Sequence, residues 1–215
     1  LLLGDHVYQY DLKKHTFNIA TEQEGLDIIG TFLPITNYGN YTYLNDIKHI
    51  YRLDNRTNQL EVLYQCHKDT IINSVSLDEH GHFWIGNNYG LFHYNPDEKI
   101  QTPISTSLFS EVTSIVCDQQ GKVWIGTNNM LFAWLIKEQK FVLFGESDGV
   151  IQNEYLSKPC LLSSQGNIYM GGVKGLLHIN STLPLITTEI PQLQLSDVIT
   201  VSYTHLRAHE TKANL

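Results

Sequence analysis

The chain has 215 residues, of which 42% are hydrophobic and 17% charged, and this composition is typical of a folded protein with one or two domains. The formal net charge of −8 argues against a nucleic-acid-binding surface, which would need a basic stripe. No apolar run reaches the roughly 18 to 20 residues of a membrane span, and the first residues lack the features of a signal peptide.

Strand-like sequence recurs along the chain in copies of about forty residues, a period that is typical of propeller blades. Leu2–Asp11 has the pattern of the second and third strands of a copy whose first strand is missing, and Pro34–Leu53 is a weak copy. The two clear copies are Ile72–Asn95 and Val112–Trp134, and Leu156–Ile179 is again weaker.

These copies predict an all-β fold, a partial β-propeller of about four and a half four-stranded blades that occupies residues 1–186. In the clearest copy, four short strands are separated by turns rich in Gly, Asn and Asp. No stretch shows a sustained period of 3.6 residues with helix caps, so we expect few helices. The predicted strands are Val112–Cys117, Lys122–Gly126, Met130–Leu135 and Phe141–Phe144.

The residues that recur are predicted to hold the blades together and not to bind a ligand. A large aromatic residue supplies the same apolar wedge in each copy, with Tyr43 at that position in the weak copy at Pro34–Leu53. One glycine permits a hairpin turn, a second leaves room where strands crowd, and the aspartate caps the turn. The residues assigned to this motif are Asp78, Gly81, Trp84, Gly86, Asp118, Gly121, Trp124, Gly126, Gly166, Tyr169 and Gly171.

No catalytic or metal-binding motif is evident. The Asp-x-x-Gly interval differs from the spacings of the sialidase Asp-box and of the quinoprotein repeat. His205 and His209 have the spacing of helical zinc ligands but lie in a segment without the repeat pattern, and His80, His82 and His93 have the pattern of solvated turn and strand residues. We therefore expect no enzyme activity in this chain, no cofactor and no metal site.

The pattern changes after Leu185. Residues 187–200 are predicted to form a linker and the first strand of a new β-domain. Residues 201–215 break all periodicity and have the pattern of translated sequencing-adapter read-through, so we expect this tail to be non-native.

The clear copies, with Asp-x-x-Gly-x-x-Trp-Ile-Gly followed by Leu and an aromatic residue, resemble the two-component regulator propeller repeat. Phe144–Tyr155 and Gly166–Gly172 are similar to the closing blades of such sensors. The resemblance implies the periplasmic sensor region of a Bacteroidetes-type hybrid two-component histidine kinase, of which this chain would be a piece. In that family an immunoglobulin-like β-sandwich follows the propeller, and residues 187–200 would begin it.

The resemblance also implies a function and partners. Such sensors bind an oligosaccharide and signal for the expression of polysaccharide-utilisation genes. The expected partners are this oligosaccharide, the remaining blades and the immunoglobulin-like domain of the same parent chain, and a second copy in a homodimer. Only a helix of the parent protein would contact the membrane. The kinase activity would also belong to that parent protein.

Propeller geometry suggests where a ligand would bind. The loops between strands two and three emerge on the same face as the connections from strand four to the next blade, and sugars need amides, carboxylates and aromatic rings in a concave surface. A fragment of a propeller carbohydrate-active enzyme and a protein-interaction platform remain alternatives. The candidate residues are Asn87, Asn88, Tyr89, Glu111, Thr127, Asn128, Asn129, Asn153, Glu154 and Lys174.

Overall fold

The computed structural model describes most of the chain before Leu183. The chain divides into two compact units, Leu1–Leu183 and Pro184–Leu215, and all described residues belong to the first. The predictions for residues 187–200 and 201–215 therefore lie outside the described residues. The described ranges are 2–3, 6–19, 29–104, 107–118 and 120–182.

Five antiparallel sheets, here called blades 1 to 5 in chain order, follow one another along the chain, and each is a meander of consecutive strands. Blades 1 and 5 have three described strands, and blades 2, 3 and 4 have four. The strands are β1 (Leu2–Leu3), β2 (His6–Asp11) and β3 (Thr16–Ile19) in blade 1; β4 (Leu33–Tyr38), β5 (Tyr41–Asn45), β6 (His49–Asp54) and β7 (Leu60–Gln65) in blade 2; β8 (Ile72–Leu77), β9 (Phe83–Asn87), β10 (Gly90–Asn95) and β11 (Ile100–Ile104) in blade 3; β12 (Ser114–Cys117), β13 (Lys122–Gly126), β14 (Leu131–Leu135) and β15 (Lys140–Phe144) in blade 4; and β16 (Tyr155–Leu162), β17 (Asn167–Gly172) and β18 (Gly175–Asn180) in blade 5.

The predicted all-β, partial propeller is confirmed. The three complete blades and the two three-stranded blades together contain eighteen strands, which is four and a half sets of four. Glu146–Asp148 is the single helical segment in the described ranges, a 3₁₀ turn. No described helix has the length and hydropathy that a membrane crossing requires.

Apolar packing joins neighbouring blades. Trp84 and Leu91 of blade 3 share a buried cluster with Val112, Ile115 and Phe132 of blade 4. The middle strands β9 and β13 are buried along their whole length because they contact neighbours on both faces. A corresponding cluster joins blades 2 and 3, and a third, which includes Val7 of blade 1, continues into blade 2.

The innermost strands are also joined by hydrogen bonds between blades. Ser74 and Ser76 of β8 accept the backbone N–H groups of Ile115 and Cys117 in β12 at 3.0 and 2.9 Å. Just before β12, the N–H group of Val112 donates to the carbonyl oxygen of Asn87 in blade 3, at 3.0 Å. These bonds satisfy backbone groups on an inner edge that would otherwise be unpaired.

Candidate functional site

The hairpin turn between the first and second strands is built around an aspartate. Asp78 accepts the N–H groups of His80 and His82 at one carboxylate oxygen, both at 2.9 Å, and the indole Nε1–H of Trp84 at the other, at 3.2 Å. Asp118 makes the same three kinds of bond in blade 4, including one of 3.1 Å from Trp124. The carboxylate therefore caps the turn and also fixes the aromatic wedge.

The bond between aspartate and tryptophan explains the interval that separates them. In blade 5, Ser163 stands at the aspartate position and Tyr169 at the tryptophan position, so the carboxylate and the indole donor are replaced together. The Ser163 hydroxyl still accepts the N–H of Asn167 at 3.0 Å and keeps the turn. This coupling could have been recognised from the sequence by comparing the copies.

The motif residues differ in burial from blade to blade. Trp84 and Trp124 are buried, whereas Tyr43 and Tyr169 are only partly buried, so the aromatic residue does not supply in each copy the same apolar wedge that the sequence predicted. Tyr43 packs edge-on against Phe83 of the next blade, while Tyr169 stacks on His178 of its own blade. Gly81, Gly121 and Gly166 adopt positive φ at the turn, and Gly86, Gly126 and Gly171 lie in the second strands β9, β13 and β17.

The loops of the predicted ligand-binding face lie close together, as the topology requires. In blade 3, Asn88 accepts the N–H of Ile71 at 2.9 Å and donates to the carbonyl of Asp69 at 3.2 Å, which joins the loop after β9 to the connection before β8. In blade 5, the N–H of Lys174 donates to Asn153 at 2.9 Å. We call this end of the blades the loop face.

Glu111 links neighbouring blades on the loop face. One carboxylate oxygen accepts the side-chain amide of Asn73 in blade 3 at 3.2 Å, and the other accepts that of Asn128 in blade 4 at 3.4 Å. The Asn73 amide also donates to the carbonyl of Val112 at 3.0 Å. The carboxylate thus lies between two amides.

The ten predicted ligand residues fall into three groups in the structure. Asn87, Thr127 and Asn153 are buried and accept hydrogen bonds from backbone N–H groups of their own loops or the adjoining loop, so they shape the face. Asn88 and Glu111 are partly buried in the bonds described above. The exposed members are Tyr89, Asn128, Asn129, Glu154 and Lys174.

A shallow groove of about 230 Å³ opens beside the loop face on blade 4. Its walls include Asn129 and Gln152 from the loops and Phe144 and Tyr155 from the strands. Polar and aromatic groups thus meet in one concavity, the combination that sugar sites use.

Sequence reasoning did not find the buried carboxylate in the loop after β5. Asp46 accepts the N–H groups of Lys48 and His49, both at 2.6 Å, the N–H of Ile29 at 3.0 Å and the hydroxyl of Tyr51 at 2.7 Å. Burial alone would raise the pKa of the Asp46 carboxyl, but these hydrogen bonds together lower it below its ordinary value. Asp46 therefore holds the loop as a carboxylate at neutral pH.

A second concavity, of about 430 Å³, lies at the opposite end of blades 3 and 4 from the loop face. It is lined by the Asp78 and Asp118 turns and by strand residues that include Cys117 and Trp134. Burial raises the pKa of the Cys117 thiol, so this cysteine is protonated and unreactive at neutral pH.

Asp78 and two histidines meet in the wall of this concavity. His80 is exposed, as its turn position predicts, whereas His82 and His93 are partly buried and come together with Asp78. Burial would raise the pKa of Asp78, but hydrogen bonds from His93 and from the N–H groups of His82 and His80 lower it. The sequence predicted no metal site at these residues.

The serial four-stranded meanders, packed face to face through their second and third strands, define a blade array of the β-propeller class. Residues 107–129 match the family model described as two component regulator propeller. The resemblance predicted from the repeat is confirmed by this match, which covers the start of blade 4. No match is found among curated proteins.

Solved structures show the same fold. The extracellular domain assigned to the hybrid two component system BT4673 of B. thetaiotaomicron is 19% identical, with a TM-score of 0.59 over 85% of this chain and 25% of that chain. The corresponding domain of BT3049 is also 19% identical, with a TM-score of 0.57 over 81% and 24%. PorZ, a surface component of the type-IX secretion system of Porphyromonas gingivalis, is 16% identical, with a TM-score of 0.61 over 83% and 29%. The chain thus spans about a quarter of the length of these proteins.

Proposed function

We propose that this chain is the C-terminal part of a propeller in the periplasmic sensor region of a hybrid two-component histidine kinase. The match of the repeat to the two component regulator propeller and the likeness to extracellular domains of such systems support this assignment. In this proposal the chain binds ligand and has no catalytic residues, and the kinase and the inner-membrane helix belong to the parent protein. The parent protein is a homodimer.

The proposed ligand is an oligosaccharide, bound at the loop face to signal for polysaccharide-utilisation genes. The observation that carries this is the set of exposed groups on loops of three successive blades: the Tyr89 ring, 62% exposed, the amides of Asn128 and Asn129, and the charged groups of Glu154 and Lys174. Amides and charged groups hydrogen-bond sugar hydroxyls, and an aromatic ring packs on the apolar side of the sugar. Buried asparagines beneath them fix the loops in advance, which lowers the entropy lost on binding.

The remaining blades of the parent protein are further proposed partners. Leu91 and Leu131, each 1% exposed, occupy equivalent positions opposite Gly86 and Gly126, on the sheet face where those glycines meet Val112 and Tyr155 of the following blades. At the same position in blade 5, Leu176 is 62% exposed. Blade 5 therefore exposes the same leucine position that the following blade covers in blades 3 and 4.

A glycan array followed by calorimetry on the intact protein that contains this chain tests the ligand. Tyr89→Ala and Lys174→Ala should each weaken binding of the captured glycan at least tenfold, because each removes an exposed contact without disturbing the loop backbone. Lys137→Ala and Gln139→Ala, at the other end of blade 4, are the matched controls and should bind as the wild type does.

The outcomes separate the rival functions. Unchanged affinity in both loop-face variants would refute the loop face as the sugar site. Turnover of the glycan by the wild type would instead favour a carbohydrate-active enzyme. Capture of a protein partner without any glycan binding would favour an interaction platform.

A further inference from the structure

Three potential metal ligands converge on the concavity at the end of blades 3 and 4 away from the loop face. The Nε2 atom of His93 lies 3.5 Å from a carboxylate oxygen of Asp78. One ligand atom each of Asp78, His82 and His93 lies within 4.8 Å of the other two. The two imidazole rings are 5.1 Å apart and nearly perpendicular.

The hairpin of β9 and β10 determines this arrangement. His93 pairs with Trp84 across the two strands, and the indole and imidazole rings lie 4.6 Å apart. Trp84 also donates to the Asp78 carboxylate oxygen that faces His93. Asp78 and His93 therefore lie against the same indole ring, and outer contacts that orient metal ligands in this way are common around zinc.

The next blade provides an internal comparison. Lys122 stands at the position of His82, and its ammonium nitrogen lies 3.2 Å from the Asp118 carboxylate. Ala133 stands opposite Trp124, where blade 3 has His93. In blade 4 a fixed cation therefore neutralises the turn carboxylate, whereas in blade 3 this cation is replaced by two imidazoles.

We propose that Asp78, His82 and His93 bind a divalent transition metal ion, with Zn²⁺ as the expected occupant. Imidazole favours zinc over magnesium or calcium, and two histidines with one carboxylate are an established zinc ligand set. Bonds of about 2.0 to 2.2 Å place tetrahedral ligand atoms roughly 3.3 to 3.6 Å apart. The contact between Asp78 and His93 already has this length, and the ligand atom of His82 lies within 4.8 Å of both, so a side-chain adjustment of His82 completes the set.

The cluster leaves one coordination position unfilled by the protein. A tetrahedral ion held by three side chains takes a water molecule or an exogenous ligand as its fourth ligand. The concavity of about 430 Å³ beside the cluster has room for it. Asp78 and His93 have side chains 11% and 28% exposed, so the ion would be shielded but accessible.

Titration of the untagged, chelator-treated full chain with Zn²⁺ in a calorimeter tests the proposal. The wild type should bind one equivalent, and Co²⁺ should give the visible absorption of a tetrahedral complex. His82→Lys and His93→Ala introduce the residues that the next blade carries at these positions, so both variants should fold. Each should weaken zinc binding by at least a hundredfold, because each removes one of three ligands.

His80→Ala and His178→Ala are the matched controls. His80 is an exposed neighbour outside the cluster. His178 occupies in blade 5 the position that His93 has in blade 3, but its Nε2 atom is hydrogen-bonded to the amide oxygen of Asn167 at 3.0 Å. Both should retain wild-type affinity and cobalt absorption. The proposal is overturned if His82→Lys and His93→Ala, shown to be folded by circular dichroism, bind zinc like the wild type, or if the wild type binds none.

Discussion

Gly86 and Gly126 lie where neighbouring blades leave no room for a side chain. A Cβ atom on Gly86 would lie 2.5 Å from Val112 Cγ1, and one on Gly126 would lie 2.6 Å from the Cβ atom of Tyr155. Both neighbours belong to the start of the next blade. The sequence predicts that these glycines leave room where strands crowd, and the crowding group in the structure is the start of the following blade.

Gly126→Ala should lower the free energy of unfolding by about 1 to 3 kcal/mol, because the added methyl group forces two packed blades apart. Urea unfolding followed by tryptophan fluorescence measures the change. Gly145→Ala is the control, since Gly145 has a φ of −138° and no atom within 4 Å of the added carbon. That variant should stay within about 0.5 kcal/mol of the wild type. If the two variants were equally stable, the contact with the next blade would not be the cause of the destabilisation.

The loop between β5 and β6 depends on a buried charge. Asp46 is fully buried, and it accepts the backbone N–H group of His49 at the end of the loop and that of Ile29 from the segment before β4. Because hydrogen bonds lower the pKa of Asp46 below its ordinary value of 3.8, the folded state favours the carboxylate. The stability that this preference gives is present above the ordinary pKa and is lost as the pH falls through the folded-state pKa.

Asp46→Asn should therefore reduce the free energy of unfolding by about 1 to 3 kcal/mol at pH 7, since an amide nitrogen replaces an acceptor among buried donors. The difference from the wild type should begin to shrink below about pH 4, because the wild-type carboxyl group takes up a proton first in the unfolded state. Urea unfolding at pH 7 and pH 3.5 measures both effects. A difference that stays constant over this range would argue against the charge as the cause.

The blades could be predicted from the sequence because Trp84 and Trp124 recur in register with their turns. The loop face followed from the order of the strands. The Asp46 network could not be predicted, since blade 2 is a degenerate copy and Ile29 lies before its first strand. The meeting of His82 and His93 depends on the pairing of β9 with β10, and a shift of one residue would place His93 on the other side of the sheet.

Among the described residues, the leucines that lie on the surface toward the next blade are buried in blades 3 and 4 and exposed in blade 5. Leu161 and His178 both pair with Tyr169, and Leu176 pairs with Gly171, so these side chains share one face of the sheet. Leu161 and Leu176 are 58% and 62% exposed on it. Val116, which pairs with Trp124 as Leu161 pairs with Tyr169, is 4% exposed. An apolar face of this kind favours association in water.

Sedimentation velocity of this chain alone should show concentration-dependent association, because two copies can bury these leucines against each other. Leu176→Lys should shift the distribution toward the monomer, since a lysine ammonium group is costly to bury in such a contact. Leu143→Lys is the matched control, because Leu143 is 53% exposed but lies on the outer strand of blade 4. If both lysine variants associate like the wild type, the contact lies elsewhere. If the wild type is monomeric at all concentrations, the exposed leucines of blade 5 do not drive association.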